Sequence, residues 1–199
     1  MLLGVTGSFG SGKTFVASLL RKAGAGVIDA DNIAHKVILP SGAAYKRVVA
    51  IFGKGIIGRT KRIDRGKLGS IVFRDKAQLF KLVSILHPEV RKAIKSKIAS
   101  YRKRIVVVDA PLLLEAGLKQ AVDKVIVVTI TRQEQLERLR QKTQLSTKEM
   151  LARIRGQMPL SLKVREADFI IDNSGTKEET KRQVKKVWEV LSKSIFITR

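Results

Sequence analysis

Cysteine is absent from the 199 residues, so the chain has no disulfide framework, no thiolate metal site and no thiol nucleophile. No apolar run approaches the length of a membrane span. The apolar start, Met1 to Val5, is too short for a secretory signal and has no charged lead-in. Aromatic residues make up 5% of the chain, which leaves few platforms on which nucleic-acid bases can stack. Internal repeats and low-complexity tracts are also missing. Acids are scarce: 17 Asp and Glu stand against 40 Lys and Arg, a net charge of +23. A field of that sign attracts polyanions, whether nucleic acid, acidic membrane or multiply phosphorylated small molecule. The excess is not confined to a tail. Between Lys54 and Lys103 there are fifteen Lys/Arg and three Asp/Glu, spread through helical and loop segments. The length suits one α/β domain with insertions, or two small lobes, and the expected setting is the cytoplasm.

What is present is organised around residues 2 to 20. Leu2-Leu3-Gly4-Val5 reads as a short apolar strand, and Val16, Leu19 and Leu20 mark one face of a helix. Between them, Gly7-Ser8-Phe9-Gly10-Ser11-Gly12-Lys13-Thr14 fits G-x-x-x-x-G-K-[ST], the P-loop, in its confirming strand-loop-helix context. Glycines let successive N–H groups converge on one point, and the helix adds its unpaired N–H groups and positive dipole end. Ser8, Gly10, Ser11, Gly12, Lys13 and Thr14 are therefore the candidate phosphate binders. Lys13 is expected to reach the β- and γ-phosphates of ATP, and the Thr14 hydroxyl to hold Mg²⁺.

Val27-Ile28 is a strand candidate that ends in Asp29-Ala30-Asp31. Two acids at the carboxyl end of a strand lie where ligands bind in open α/β sheets. Spacing alone leaves two uses open: a base or metal partner beside the transferred phosphate, or a helix cap plus a solvated acid. Helices are expected over 32–39, 43–52, 67–73, 76–86 and 89–101, with a boundary at His87-Pro88, because proline lacks the N–H that a helix interior needs. His87 stands where a structural cap is the common use, and His35 reads as structural. Ile105-Val106-Val107-Val108-Asp109 is a strand buried on both faces, ending in an acid placed either as a metal partner or as a cap. Pro111-Leu112-Leu113-Leu114-Glu115 should line the site or pack under it. Further strands are expected at 124–130 and 169–172. Arg138, Arg140, Lys142, Arg153 and Arg155 crowd a segment whose charges suit either a closing lid or a solvated face. An amphipathic helix over 180–191 places Val184, Val187, Trp188 and Leu191 on one side, with Trp188 in the core.

Taken together, separated motifs resemble those of dephospho-CoA kinases. They are the P-loop, Ile28-Asp29-Ala30-Asp31, Asp64-Arg65 with Leu68, Leu86-His87-Pro88, Pro111-Leu112-Leu113, Arg153-Ile154 with Gln157-Met158-Pro159-Leu160, and Ala167 through Gly175. The resemblance runs in order along nearly the whole chain. It implies transfer of the ATP γ-phosphate to the ribose 3′-hydroxyl of dephospho-CoA, the last step of coenzyme A synthesis. The implied fold is a P-loop nucleotide-kinase fold with a parallel five-stranded sheet flanked by helices. Its core would be 1–33, 104–131 and 164–199, with a helical CoA-binding region at 34–103 and a helical lid at 132–163. By the same resemblance Asp31 is the general base, Lys13 and Arg138 act on the phosphates, and His87, Arg65 and Leu112 join Asp31 in holding the acceptor. The metal, Mg²⁺, would sit on Thr14 with Asp29 or Asp109. A monomer with no specific nucleic-acid or membrane partner is expected. Four positions depart from the family pattern: Ser8 replaces a glycine, Phe9 an isoleucine, and Lys142-Thr143 an Arg-Asp pair. A nucleoside monophosphate kinase-like enzyme and a nucleic-acid-binding P-loop protein are the rival readings.

Overall fold

The computed structural model describes residues 1–197. Five strands, β1 (Leu2–Gly7), β2 (Gly26–Asp29), β3 (Val106–Asp109), β4 (Lys124–Thr129) and β5 (Phe169–Asp172), form one sheet in the order β2-β3-β1-β4-β5. The pairings of β1 with β3, β1 with β4, and β4 with β5 are parallel. Strands β1 and β3, and β4 beyond its first residue, read as near-continuous Val, Ile and Leu runs because helices cover both faces of the sheet. Nine helices accompany the strands among the described residues: α1 (Lys13–Lys22), α2 (Ala30–Val37), α3 (Tyr45–Phe52), α4 (Arg65–Val72), α5 (Lys76–Ser100), α6 (Arg132–Lys142), α7 (Thr147–Arg155), α8 (Leu160–Arg165) and α9 (Lys177–Ile197).

The chain divides into two compact units, residues 1–28 with 101 onward, and residues 29–100. In the first unit Leu3, Val5, Val107, Ile126, Val128 and Ile171 of the sheet pack against Val16 and Leu20 of α1 and Val184, Val187 and Leu191 of α9, with Trp188 half-buried at the margin. Helices α6, α7 and α8 belong to this unit. The second unit has its own core of Ile38, Ala44, Val48, Ile56, Ile63, Leu68 and Val72, covered by Leu79, Leu82, Ile85 and Leu86 of α5.

The expected break at His87-Pro88 does not occur. Helix α5 runs through Pro88 without interruption. The local rule is outweighed by packing on both sides of the proline. Leu82, Ile85 and Leu86 cover the 29–100 core before it, and Val90 and Ile94 are buried after it. Proline removes one i→i−4 hydrogen bond, and here the apolar contacts of a 25-residue helix hold the remaining turns in line. His87 is therefore a mid-helix residue and caps nothing. The stretch after Phe52 is rich in glycine. It holds a short 3-10 turn at Lys54–Ile56 and an antiparallel bridge between Ile57 and Ile63.

Candidate active site

The P-loop leaves β1 at Gly7 and enters α1 at Lys13. Gly10 and Gly12 have φ of 81° and 89°, in the left-handed region that side chains rarely adopt. Ser8 is not among the positive-φ residues, so the serine in place of a glycine carries no backbone strain. Its carbonyl accepts from Ser11 N (3.1 Å) and from Lys13 Nζ (3.1 Å), which turns the buried Lys13 back along the loop. Ser11 is fully buried, and its hydroxyl has no hydrogen-bond partner. Thr14 stands exposed on the first turn of α1. A convergent loop with an orphaned buried hydroxyl and an ammonium, leading into a helix N-terminus, suits a phosphate chain.

Two sets of side chains hold this loop. From the end of β5, Asn173 Nδ2 donates to Ser11 O (2.8 Å), and Thr180 Oγ1 of α9 donates to Asn173 Oδ1 (2.8 Å). Asn173 lies so close that a Cβ on Gly12 would come within 2.1 Å of its Nδ2, a second reason for glycine there. From α6 and the end of α7, Gln135 Nε2 donates to Ser8 Oγ (2.9 Å) and Phe9 O (2.5 Å), and Phe9 N donates to Gln157 Oε1 (2.7 Å). The Arg153 guanidinium lies 5.6 Å from the centre of the Phe9 ring. Arg138 donates to Glu134 (2.8 Å) and, at 3.4 Å, to Gly175 O, beside Gly12.

A third cluster lies under the loop after β3. Asp109 is buried, and Pro111 O accepts from Thr6 Oγ1 (3.2 Å) and from Lys163 Nζ (2.7 Å). Lys163 is 0% exposed and pairs with Glu115 at 2.9 Å; Glu115 also accepts from Met158 N at 2.9 Å. Burial lowers the Lys163 pKa below 10.5, and the Glu115 carboxylate opposes that shift. Leu113 packs over Gly4, where a Cβ would sit 2.8 Å from it, while Leu112 is half-buried.

In the 29–100 unit, Asp29 is the N-cap of α2 and accepts from Asn32 N (2.9 Å). Asp31 is exposed in the first turn of the same helix. Asp64 caps α4 by accepting from Gly66 N and Lys67 N, and Arg65 follows it, exposed. His87 is half-buried on α5. Burial, and then the charge of Arg91 one turn on, lower its pKa below 6.5, so at neutral pH it is an uncharged hydrogen-bonding group.

Sequence reasoning placed the loop residues and Arg138 together, and the structure does the same. It gives no role to Gln135 or Lys163, expects Glu115 only to line the site or pack under it, and holds Asn173 only as part of a motif. Gln135 had one available signal. It lies four residues before the buried Leu139, on the same helix face.

A family model described as dephospho-CoA kinase matches residues 1–179. The chain is 45% identical over 186 residues to a dephospho-CoA kinase of Carboxydothermus hydrogenoformans, covering 92% of this chain and 90% of that one. It is 44% identical over 199 residues to a dephospho-CoA kinase of Geobacillus kaustophilus, covering 97% and 99%. Among solved structures, TT1252 from Thermus thermophilus superposes with a TM-score of 0.82 at 30% identity, covering 97% of each chain.

Proposed function

The chain belongs to the dephospho-CoA kinase family, and from that membership we propose how its own residues divide the reaction. It is an ATP-dependent kinase that phosphorylates the ribose 3′-hydroxyl of dephospho-CoA, giving coenzyme A and ADP. The P-loop receives the triphosphate of ATP. The observation that carries this is the loop's unspent polarity: the buried Ser11 hydroxyl without a partner, beside Lys13 held on a loop carbonyl. Lys13 exchanges Ser8 O for phosphate oxygens, a charge-assisted contact stronger than the one it leaves. Ser8, Gly10 and Gly12 shape the loop. Arg138, on the α6 face beside Gly12, adds positive charge where the γ-phosphate moves.

Asp31 takes the 3′-hydroxyl proton as the phosphorus–oxygen bond forms, because a ribose hydroxyl is a poor nucleophile without a carboxylate in reach. His87, Arg65 and Leu112 hold the acceptor. Uncharged His87 supplies a hydrogen bond, and Arg65 supplies a fork for phosphate oxygens. In this reading 34–103 is the acceptor-binding region and 132–163 the lid of a cytoplasmic monomer. No helix among the described residues is long and apolar enough to cross a membrane.

The donor set fits Mg²⁺. No group of three or more His, Cys, Asp or Glu able to hold a metal occurs among the described residues. Mg²⁺ needs only one or two protein oxygens and completes its shell with substrate phosphates and water. Thr14, with Asp29 or Asp109, would hold it. When bound, it supplies neutralisation of charge on the β- and γ-phosphates.

The test is acceptor choice. The purified chain with ATP and Mg²⁺ should release ADP in the presence of dephospho-CoA, with one phosphate added to the acceptor by mass. AMP, CMP and UMP should give none. Turnover of a nucleoside monophosphate in preference to dephospho-CoA would overturn the acceptor assignment.

A further inference from the structure

The tip of the P-loop is not held by the P-loop. Both polar ends of the Phe9 residue are fixed by side chains from 132–163: Phe9 O accepts from Gln135 and Phe9 N–H donates to Gln157. Gln135 is 4% exposed and uses its whole amide. Its Nε2 serves Ser8 Oγ and Phe9 O, and its Oε1 accepts from Arg132 at 3.2 Å. That three-way bonding fixes which way the amide faces. Leu139, one turn further along α6, sits against Gly10 so closely that a Cβ there would lie 2.8 Å from it. Arg153 covers the Phe9 ring. Ser8 and Phe9 each meet a partner in this grip. Residues 11 and 12, by contrast, are braced by Asn173, which follows β5 and lies outside 132–163.

We propose that Gln135 is a positioning residue for ATP, setting the orientation of the Ser8–Phe9 peptides and tying the P-loop to the segment that carries Arg138 and Arg153. This rests on the assignment of ATP to the P-loop. Nucleotide phosphates fix the loop, and a fixed loop presents Ser8 Oγ and Phe9 O to Gln135 in one arrangement. Nucleotide binding and the placement of α6 and α7 are then one coupled equilibrium, and the coupling acts in both directions. Without Gln135, Phe9 O loses its donor, and the loop gains freedom that ATP must remove on binding.

The experiment compares the parent with Gln135→Leu and the isosteric Gln135→Glu, which keeps the size and removes the donor. Affinity for ATP and for dephospho-CoA is measured separately by calorimetry. Hydrogen exchange across 132–163 is followed with and without a non-hydrolysable ATP analogue. ATP affinity should fall about tenfold in both variants, the scale of one lost buried hydrogen bond. Acceptor affinity should stay within about twofold, because the coupling is to the nucleotide. In the parent the analogue should slow exchange in 132–163; in the variants that protection should be lost while the P-loop stays protected. A role in stability alone would lower the melting temperature and leave ATP affinity and nucleotide-dependent protection as in the parent, and that result overturns the proposal. If Gln135→Leu does not fold, Gln135→Glu decides by the same readings. Should the parent itself fail to bind ATP, the donor assignment falls, and the proposal with it.

Discussion

The two units treat polarity in opposite ways. Thr6, Ser8, Ser11, Lys13, Asp109, Gln135, Lys163, Asn173 and Thr180 are buried polar side chains, and all belong to the unit of residues 1–28 and 101 onward. Among the described residues, 29–100 has no side chain of that kind, and its one buried, unpartnered polar side-chain atom is His35 Nδ1. It carries sixteen Lys and Arg against five Asp and Glu, so its cations outnumber any carboxylate partners it could supply. Three of those five acids, Asp29, Asp64 and Asp75, accept from backbone N–H groups at helix starts. A polar group taken out of water must be bonded in a fixed geometry. The first unit uses that requirement to hold the loop after β1 rigid. The second keeps its charge outside, where it sets a positive field and constrains little.

The comparison breaks most sharply at Lys13. Lys13→Ala should lower kcat by about a thousandfold, the scale of removing one preorganised cation from a charge-developing centre, as read by ADP release. Next comes Lys163, whose loss leaves Glu115 partly buried with only the Met158 N–H. Lys163→Met should cost about 3 kcal/mol in urea unfolding. Lys92→Gln, on the exposed face of α5, should stay within about 0.5 kcal/mol. Equal losses at the two lysines would erase the contrast between the units.

A much smaller effect than that of Lys163 lies at an exposed pair within the first unit. Burial raises the Asp168 pKa, but the hydrogen bond from Lys124, the Val125 N–H and the charges of Lys124 and Lys119 outweigh it and leave it below 3.8. A carboxyl whose folded pKa is depressed contributes stability in full above its unfolded value and loses it as pH falls through the folded value. Asp168→Asn should therefore lower the melting temperature by about 2 °C at pH 7, a surface-pair effect. The gap should close as the pH falls below 3.8. A gap that persists in acid would mean the carboxylate charge is not what stabilises.

How legible each part was follows from where its cause lies. Gly10, Gly12, Lys13 and the apolar strand before them encode a local backbone geometry, so the loop was readable without the rest of the fold. Strands β3 and β4 were readable because burial on both faces demands runs of Val and Ile, and β1, β2 and β5 from shorter apolar stretches. Pro88 misled, because the proline rule is local and the packing that overrides it comes from residues 38–72, distant in sequence. Gln135 was hard to see in a helix with a strongly polar sequence, where its place one turn before Leu139 is the single hint of a buried face. Lys163 was hidden because a lysine is read as solvated until its carboxylate, 48 positions earlier in the chain, is brought to it by the fold.

The division of labour between the units is tested most directly by Asp31→Asn, with ATP affinity and turnover measured on the same preparation. kcat should fall by about a thousandfold, the scale of a lost general base, with ATP affinity within about twofold of the parent. Turnover near the parent's would contradict it, and so would a parallel collapse of ATP binding.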